Sequence, residues 1–269
     1  MIAPITPLSS AQYSNDLFRT TAGGRDLVIK VYRPKPRTFK FYTHRALALL
    51  GRTIPVEYRT EAQRKSFEQT VYVRWRECGY AVPRHYEVPE LSAQLGAGSV
   101  HIILEYIPGP TLEGFLREAG RSTSEKLEIL DRLFRECRER HERSLREHDH
   151  RLVHFDSNLR NIIVRDSALV HVDFEMGRSN EPLMRSFARE ILKAAVEAVN
   201  LLGCEFLDRV AGIISREYRG MGVTTSIIHD AAGRGKKSAE SGKSAASRIT
   251  RFDLARALAR HEGDPTDPS

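Results

Sequence analysis

The chain has 269 residues, 41% of them hydrophobic and 29% charged, which is ordinary for a globular protein and sufficient for one domain or two lobes. No run approaches the roughly 18 consecutive apolar residues of a membrane helix, and the first residues lack the layout of a secretory signal, so we expect a cytoplasmic protein. The net charge of +7 favours an acidic partner such as a nucleotide, an anionic lipid headgroup, a phosphorylated glycan or RNA, without choosing among them.

The N-terminal region is predicted to form a β-hairpin. Strand-forming residues at 15–21 and 26–32 flank Ala22-Gly23-Gly24, a typical turn sequence. Lys30 alternates with Ile29 and Val31, so its side chain faces away from theirs and can point into a cleft. An ordinary solvent-facing lysine on an edge strand is the alternative, and only the motifs further along the chain argue against it.

A basic, aromatic-rich insertion at 34–58 separates this hairpin from a helix predicted near 60–78. The helix begins with a capping-box sequence, Thr60-Glu-Ala-Gln63, and ends at Gly79. Glu68 lies at the border of its apolar stripe, where it can reach a neighbouring strand. Glu68 is therefore the predicted partner of Lys30.

A buried strand at 100–107 is followed by Pro108-Gly109-Pro110, which predicts a hinge between two lobes. The sequence Ser122-Thr-Ser-Glu125 then caps a long helix. The charged residues from Arg135 to Arg146 are expected to be mostly a solvated helix surface. The three cysteines, Cys78, Cys137 and Cys204, are far apart and odd in number, which indicates neither a disulfide framework nor a zinc site.

The most informative stretch runs from His154 to Asn161 and reads HFDSNLRN, with Asp173-Phe174-Glu175 twelve residues after its end. Apolar runs frame both parts, which predicts the order strand, loop, strand, turn, strand, aspartate. Kinases use an aspartate, an asparagine and a second aspartate at these spacings to hold a hydroxyl, metal ions and a triphosphate.

Two further helices are predicted at 182–202 and 205–218. Residues 221–250 are rich in Gly, Ser, Ala and Lys and are expected to be a flexible basic linker. A short terminal helix and tail follow at 251–269. The predicted class is α+β, with an N-lobe at 1–107 built from a small antiparallel sheet and one main helix, and a helical C-lobe at 108–220.

With these features in this order, the chain resembles the protein-kinase-like superfamily over roughly residues 10–220. Asn158 stands where ordinary protein kinases usually carry lysine, as in the lipopolysaccharide core kinases acting on Kdo or heptose and in the atypical RIO-type kinases. The sequences Glu105-Tyr-Ile-Pro-Gly and Asp173-Phe-Glu are similar to the aminoglycoside phosphotransferase and choline kinase group. The resemblance implies a two-lobed kinase fold that uses ATP and Mg²⁺.

The resemblance also implies residue roles. Asp156, beside Asn158, orients the acceptor hydroxyl; Asn161 and Asp173 hold magnesium; Lys30 contacts the α and β phosphates and is fixed by Glu68. His154 is expected to organise the loop rather than to transfer a proton. Glu105 and Ile107, at the end of the strand expected to contact adenine, are further predicted nucleotide-binding residues. No GxGxxG loop precedes Lys30, so Ser10 and Ser14 are predicted to lie in the segment that covers the phosphates.

Two departures from protein kinases matter. Glu175 replaces the glycine after Asp-Phe, which predicts either a less mobile metal-binding segment or a third carboxylate near the metals. No Ala-Pro-Glu follows, and the segment to the next helix leaves no room for a long activation loop. A kinase of a sugar, glycolipid or other small hydroxylated acceptor is therefore expected, with a lipopolysaccharide core sugar first. An atypical serine/threonine protein kinase and a non-catalytic pseudokinase scaffold are the alternatives.

The basic insertion fits a glycolipid acceptor and peripheral contact with an anionic membrane surface at the cytoplasmic face. Nucleic acid is not an expected partner. The sequence specifies neither the acceptor nor the oligomeric state.

Overall fold

The computed structural model describes residues 2–9, 15–34, 60–96, 98–177, 181–229 and 249–262. Two compact units result: Met1–Gly109 with Val170–Asn180, and Pro110–Leu169 with Glu181–Ser269. The chain passes from the first unit to the second within the Pro108-Gly109-Pro110 sequence. The 170–180 segment, which carries Asp173, belongs to the first unit rather than to the helical unit in which the sequence analysis placed it.

The first unit contains a five-stranded antiparallel sheet in the order β1-β2-β3-β5-β4. Its strands are β1 (Thr6–Ser9), β2 (Asp16–Ala22), β3 (Arg25–Val31), β4 (His85–Tyr86) and β5 (His101–Glu105). The β2–β3 turn is made by Gly23 and Gly24, whose φ angles of 57° and 74° suit the two-residue hairpin that the sequence predicts. The apolar side of the sheet includes Leu27, Ile29 and Ile103.

The main helix of this unit, α1, spans Glu61–Glu77. Its start is the predicted capping box, in which the Thr60 hydroxyl accepts from the Gln63 N–H and the Gln63 side chain accepts from the Thr60 N–H. A short helix, α2 (Pro89–Gln94), precedes β5. Residues 35–59, which contain the predicted basic insertion apart from Pro34, lie outside the described part of the chain.

The second unit is mostly helical. Its helices are α3 (Leu112–Arg117), α4 (Thr123–Glu147), α5 (Leu183–Leu202), α6 (Leu207–Glu217), α7 (residues 223–229) and α8 (Arg251–Glu262). Their apolar faces form one core, represented by Leu130, Phe134, Phe187, Ile191 and Leu254. The strands β6 (Ile162–Arg165) and β7 (Ala168–His171) pair in a separate two-stranded sheet.

The prediction of a flexible linker at 221–250 is wrong for residues 223–229. Residues 223–229 are helical, and Val223 and Ile227 are fully buried in the core. These two apolar side chains are four apart, so one helical face packs inward despite the surrounding small and polar residues. Residues 230–248 lie outside the described part of the chain. None of the described helices is both long enough and apolar enough to cross a membrane.

Candidate active site

Lys30 is the next-to-last residue of β3, and only 6% of its side chain is exposed. Its Nζ donates to Glu68 Oε2 at 2.8 Å and to Asp173 Oδ1 at 2.5 Å. Burial by itself lowers the pKa of a lysine, but the carboxylates of Asp173 and Glu68 outweigh that effect and raise the pKa of Lys30. Lys30 is therefore a fixed positive charge. The structure brings it together with Glu68, its predicted partner, and also with Asp173, which the resemblance assigns to magnesium.

The Glu68 carboxylate, on α1, is fully buried and accepts several hydrogen bonds besides those of the lysine. The Tyr32 hydroxyl donates to Oε2 at 2.6 Å, while the Tyr72 hydroxyl and the Phe174 N–H donate to Oε1 at 3.0 and 3.2 Å. A buried carboxylate oxygen is costly without hydrogen-bond donors, and these groups supply them. Tyr32 and Tyr72 thus hold Glu68 in place, and through it they hold Lys30.

The segment after β7 adopts a strained conformation at Asp173, whose φ is 67°. Non-glycine residues rarely occupy this left-handed region except where the surroundings fix them, as at functional sites. Phe174 supplies part of that constraint, since its ring lies 5.2 Å from the Tyr72 ring and 4.6 Å from the Trp75 ring, between centroids. The Asp173 N–H also donates to the Tyr72 hydroxyl at 3.3 Å. Helix α1 therefore sets the position of Asp173.

Glu175 is anchored in the same unit by Arg64 and Asn15. Its Oε2 accepts from Arg64 Nη1 at 2.8 Å and from Asn15 Nδ2 at 2.6 Å. Arg64, with only 3% of its surface exposed, also donates to the Arg33 carbonyl oxygen. These contacts favour the first of the two predicted consequences of the missing glycine, a segment held in one place.

The charges of this cluster leave room for a cation. Among the residues that the structure describes, two cations, Lys30 and Arg64, face the three carboxylates of Glu68, Asp173 and Glu175. One negative charge is in excess, and burial beside the other carboxylates raises the pKa of Asp173 despite the opposing effect of Lys30. A divalent cation bound at Asp173 would offset this excess, and carboxylate oxygen is a ligand that Mg²⁺ prefers. The residues present fit a magnesium ion on the Asp173 side of the cluster.

In the second unit, the predicted catalytic loop comprises residues 154–161. Hydrogen bonds from two of its asparagines to Asp156 fix its conformation. Asn158 Nδ2 donates to Oδ1 at 2.8 Å, and Asn161 Nδ2 donates to Oδ2 at 3.1 Å and to the Asp156 carbonyl oxygen at 2.9 Å. Because the Asn161 amide nitrogen is used in this way, its side-chain oxygen is the group left to act as a ligand. That oxygen also fits a magnesium ion. Within the described residues, no group of three or more His, Cys, Asp and Glu side chains makes an all-protein metal site.

A buried network of charged and polar side chains, centred on Glu190, holds the backbone of the loop at His154. Glu190, on α5, accepts from Arg140 Nη2 at 2.5 Å, from His141 Nε2 at 3.1 Å and from the His154 N–H at 2.9 Å. The Ser157 hydroxyl donates to the Glu190 carbonyl oxygen at 3.2 Å. Arg140 is fully buried, so the expectation of a solvated surface between Arg135 and Arg146 is wrong at this residue. It lies three residues after buried Cys137, on the apolar stripe of α4.

Protonation in this network follows from burial and hydrogen bonding. Burial lowers the pKa of His141, and burial raises the pKa of Tyr218 well above its usual range. The neutral histidine then donates from Nε2 to Glu190 and accepts at Nδ1 from the Tyr218 hydroxyl, 2.9 Å away. Despite its burial, the pKa of Glu190 is lowered, because Arg140 and His141 stabilise the carboxylate.

Three polar residues of α5 contact the catalytic loop from one helical face. Glu190 receives the His154 N–H, Lys193 forms an ion pair with Asp156, and Glu197 Oε2 accepts from the Leu159 N–H at 3.0 Å. Their spacing of three and then four residues is the spacing of one helix face. The sequence predicted this helix at 182–202, but none of these three polar residues was among the predicted site residues. Their spacing of three and four residues, which places Glu190, Lys193 and Glu197 on one helix face, was the sequence signal that could have identified them.

The remaining predicted nucleotide-binding residues are Glu105, Ile107, Ser10 and Ser14. The Glu105 side chain accepts from the Arg84 N–H at 3.2 Å, and its own N–H donates to the Arg84 carbonyl at 2.8 Å, so its carboxylate supports the strand end. Ile107 is buried just beyond β5. Ser10 and Ser14 lie outside the described residues, so the segment assigned to cover the phosphates stays a prediction.

No family model and no curated protein matches the chain. Among solved structures, the chain is similar to WaaP in complex with acyl carrier protein, with 15% identity and a TM-score of 0.50. The match covers 97% of this chain and 88% of that one. At this identity the likeness concerns the fold alone. It confirms the predicted α+β protein-kinase-like fold, with a small antiparallel sheet and a mostly helical remainder.

Proposed function

We propose that the chain is an ATP-dependent kinase that transfers the γ-phosphate to a hydroxyl of a sugar, glycolipid or other small-molecule acceptor. The observation that carries the proposal is the buried lysine of β3, held by Glu68 and Asp173 at 2.8 and 2.5 Å. An ordinary fold has little use for a lysine inside three carboxylates, because taking these charges out of water is costly. Such an arrangement suits a polyphosphate with its metal ion.

In this mechanism Lys30 binds the α and β phosphates of ATP, and Glu68 keeps its ammonium in position. Asp173 and the Asn161 side-chain oxygen would hold magnesium, which supplies charge neutralisation on the phosphates when bound. Asp156 orients the acceptor hydroxyl and takes its proton. The acceptor oxygen forms a bond to the γ-phosphorus, the bond from that phosphorus to the β–γ bridging oxygen breaks, and ADP leaves.

The acceptor class rests on what the sequence contains and on the resemblance. Asn158 and the basic insertion resemble the lipopolysaccharide core kinases, and only nine residues separate Asp173 from the start of α5. That span is too short for a long phosphorylatable activation loop. We therefore propose a lipopolysaccharide core sugar as the first acceptor to test, with contact at an anionic membrane surface.

The experiment is transfer of label from γ-labelled ATP with Mg²⁺ to a panel of core sugars, amino alcohols, aminoglycosides and proteins. Label on a sugar or small alcohol supports the proposal, whereas label on protein serine assigns the chain to the atypical protein kinases. The Asp156→Asn variant is expected to lose about 10²- to 10⁴-fold in turnover. Asp166→Asn, a matched change in the β6–β7 turn at a residue with φ of 48°, is expected to leave turnover unchanged. No transfer to any acceptor by the wild type would indicate a pseudokinase.

A further inference from the structure

Lys193 makes an ion pair with the residue assigned to orient the acceptor. Its Nζ contacts Asp156 Oδ1, the oxygen that also accepts from Asn158 Nδ2 at 2.8 Å. The side chains of Lys193 and Asp156 are 32% and 22% exposed, so the pair lies at an accessible surface of the second unit. Lys193 reaches the loop from α5, 37 residues along the chain.

Stability does not account for this pair. Ordering a lysine side chain costs rotamer entropy, and a partly exposed ion pair returns little net stabilisation in exchange. A cation beside a carboxylate also makes that carboxylate a weaker proton acceptor. The placement therefore needs a reason connected with the reaction.

The chemistry of transfer supplies one. Negative charge spreads over the phosphoryl oxygens as the group moves, and a cation fixed beside them stabilises that charge. Two residues after Asp156 the loop has Asn158, a neutral side chain whose amide donates to Asp156 Oδ1. Within this loop the cationic residue is Arg160, which is exposed. Lys193, on α5, therefore supplies the ammonium beside Asp156 that Asn158 of the loop does not supply.

We propose that Lys193 is a γ-phosphate-binding residue of the transfer site. Asp156 faces the acceptor hydroxyl, and in a reactive arrangement the attacking oxygen lies ~3–3.5 Å from the γ-phosphorus. An ammonium one hydrogen bond away from Asp156 is thus within reach of the γ-phosphate oxygens. The inference rests on the proposed kinase function and adds a residue that the motif does not contain.

The test compares the affinities of MgATP and MgADP, which differ by the γ-phosphate, measured by isothermal titration calorimetry. Removing Lys193 alone would also leave the Asp156 charge unpaired near the phosphate. The comparison is therefore made in the Asp156→Asn variant, which lacks that charge and does not consume ATP. In this background Lys193→Met is expected to weaken MgATP about tenfold or more and to leave MgADP within about twofold.

Lys126→Met, a loss of a lysine charge on α4 and outside the catalytic loop, is the control and should change neither affinity. If Lys193→Met leaves MgATP binding unchanged in the Asp156→Asn background, Lys193 only neutralises Asp156 and the inference is wrong. Equal losses for MgATP and MgADP would overturn it as well. Lys193→Gln provides a second helix-compatible variant should the methionine variant fail to fold. If neither the wild type nor Asp156→Asn binds MgATP, the proposed function itself fails, which is a separate result.

Discussion

Replacement of Glu190 by glutamine tests whether the buried network positions the catalytic loop. The carboxylate accepts from Arg140, His141 and the His154 N–H, and it is 4% exposed. Glutamine has nearly the same shape, but it offers one oxygen and one NH₂ group to donors that all require an acceptor. At least one buried donor therefore meets an NH₂ group, and the buried guanidinium of Arg140 loses its counter-charge.

Breaking a buried ion pair by removing one partner costs ~3–5 kcal/mol. A domain is stabilised by only ~5–15 kcal/mol in total, and for a unit of this size each kcal/mol shifts the melting temperature by ~2–4 °C. Glu190→Gln is thus expected to lower the melting temperature of the second unit by ~6–20 °C. Phosphotransfer by the folded variant should fall as well, because the His154 N–H loses its acceptor.

Urea and thermal unfolding followed by far-ultraviolet circular dichroism measure this change, since the second unit is mostly helical. Glu139→Gln, an exposed position on α4, is the matched control and should change stability by less than ~0.5 kcal/mol. A loss below ~1 kcal/mol for Glu190→Gln would refute the reasoning, because it would mean that Arg140 does not depend on this carboxylate.

Three other outcomes are expected. Lys30→Met should weaken MgATP binding at least ~10-fold in calorimetry, since it removes a phosphate-binding cation from among three carboxylates; unchanged affinity would contradict the β3 assignment. Arg64→Met should release Glu175 and reduce hydrogen-exchange protection at residues 173–177, and protection equal to wild type would mean that the anchor is unimportant. Because burial lowers the folded-state pKa of His141, the unfolded state binds the additional proton, and stability should fall as pH drops below about 6.5, with a slope of up to ~1.4 kcal/mol per pH unit from this residue. The fall should be smaller in His141→Gln, where His85 and His150, whose pKa values burial also lowers, still contribute; an unchanged pH dependence would contradict the role of His141.

Features of the site that depend on neighbours in sequence could be predicted. The capping boxes at Thr60 and Ser122 require only residues three apart, and both are present. Lys30 was identified from strand alternation and from its order relative to the later motifs. Glu68 followed from its place at the edge of an apolar stripe. In each case a local period limits where the side chain can point.

Features that depend on tertiary packing were missed for a physical reason. Tyr32 lies two residues after Lys30, just past the end of β3, and Tyr72 lies one helical turn after Glu68 on α1. A tyrosine at such a position usually indicates a core residue, and nothing local shows that its hydroxyl meets a buried carboxylate. Arg140 and Glu190 were hidden in the same way, since each charge is typical of a surface until the partner 50 residues away is known.

Buried ion pairs surround the candidate groups in each unit, and this distribution bears on function. In the first unit Glu68 and Arg64 fix Lys30 and Glu175, and in the second Arg140 holds Glu190 beneath the catalytic loop. Apolar residues of similar volume would often stabilise such positions as well or better. An apolar core, however, offers no acceptor for the His154 N–H and no partner for the Lys30 ammonium. These ion pairs therefore serve to orient specific polar groups, and the proposed phosphoryl transfer would depend on such positioned charge.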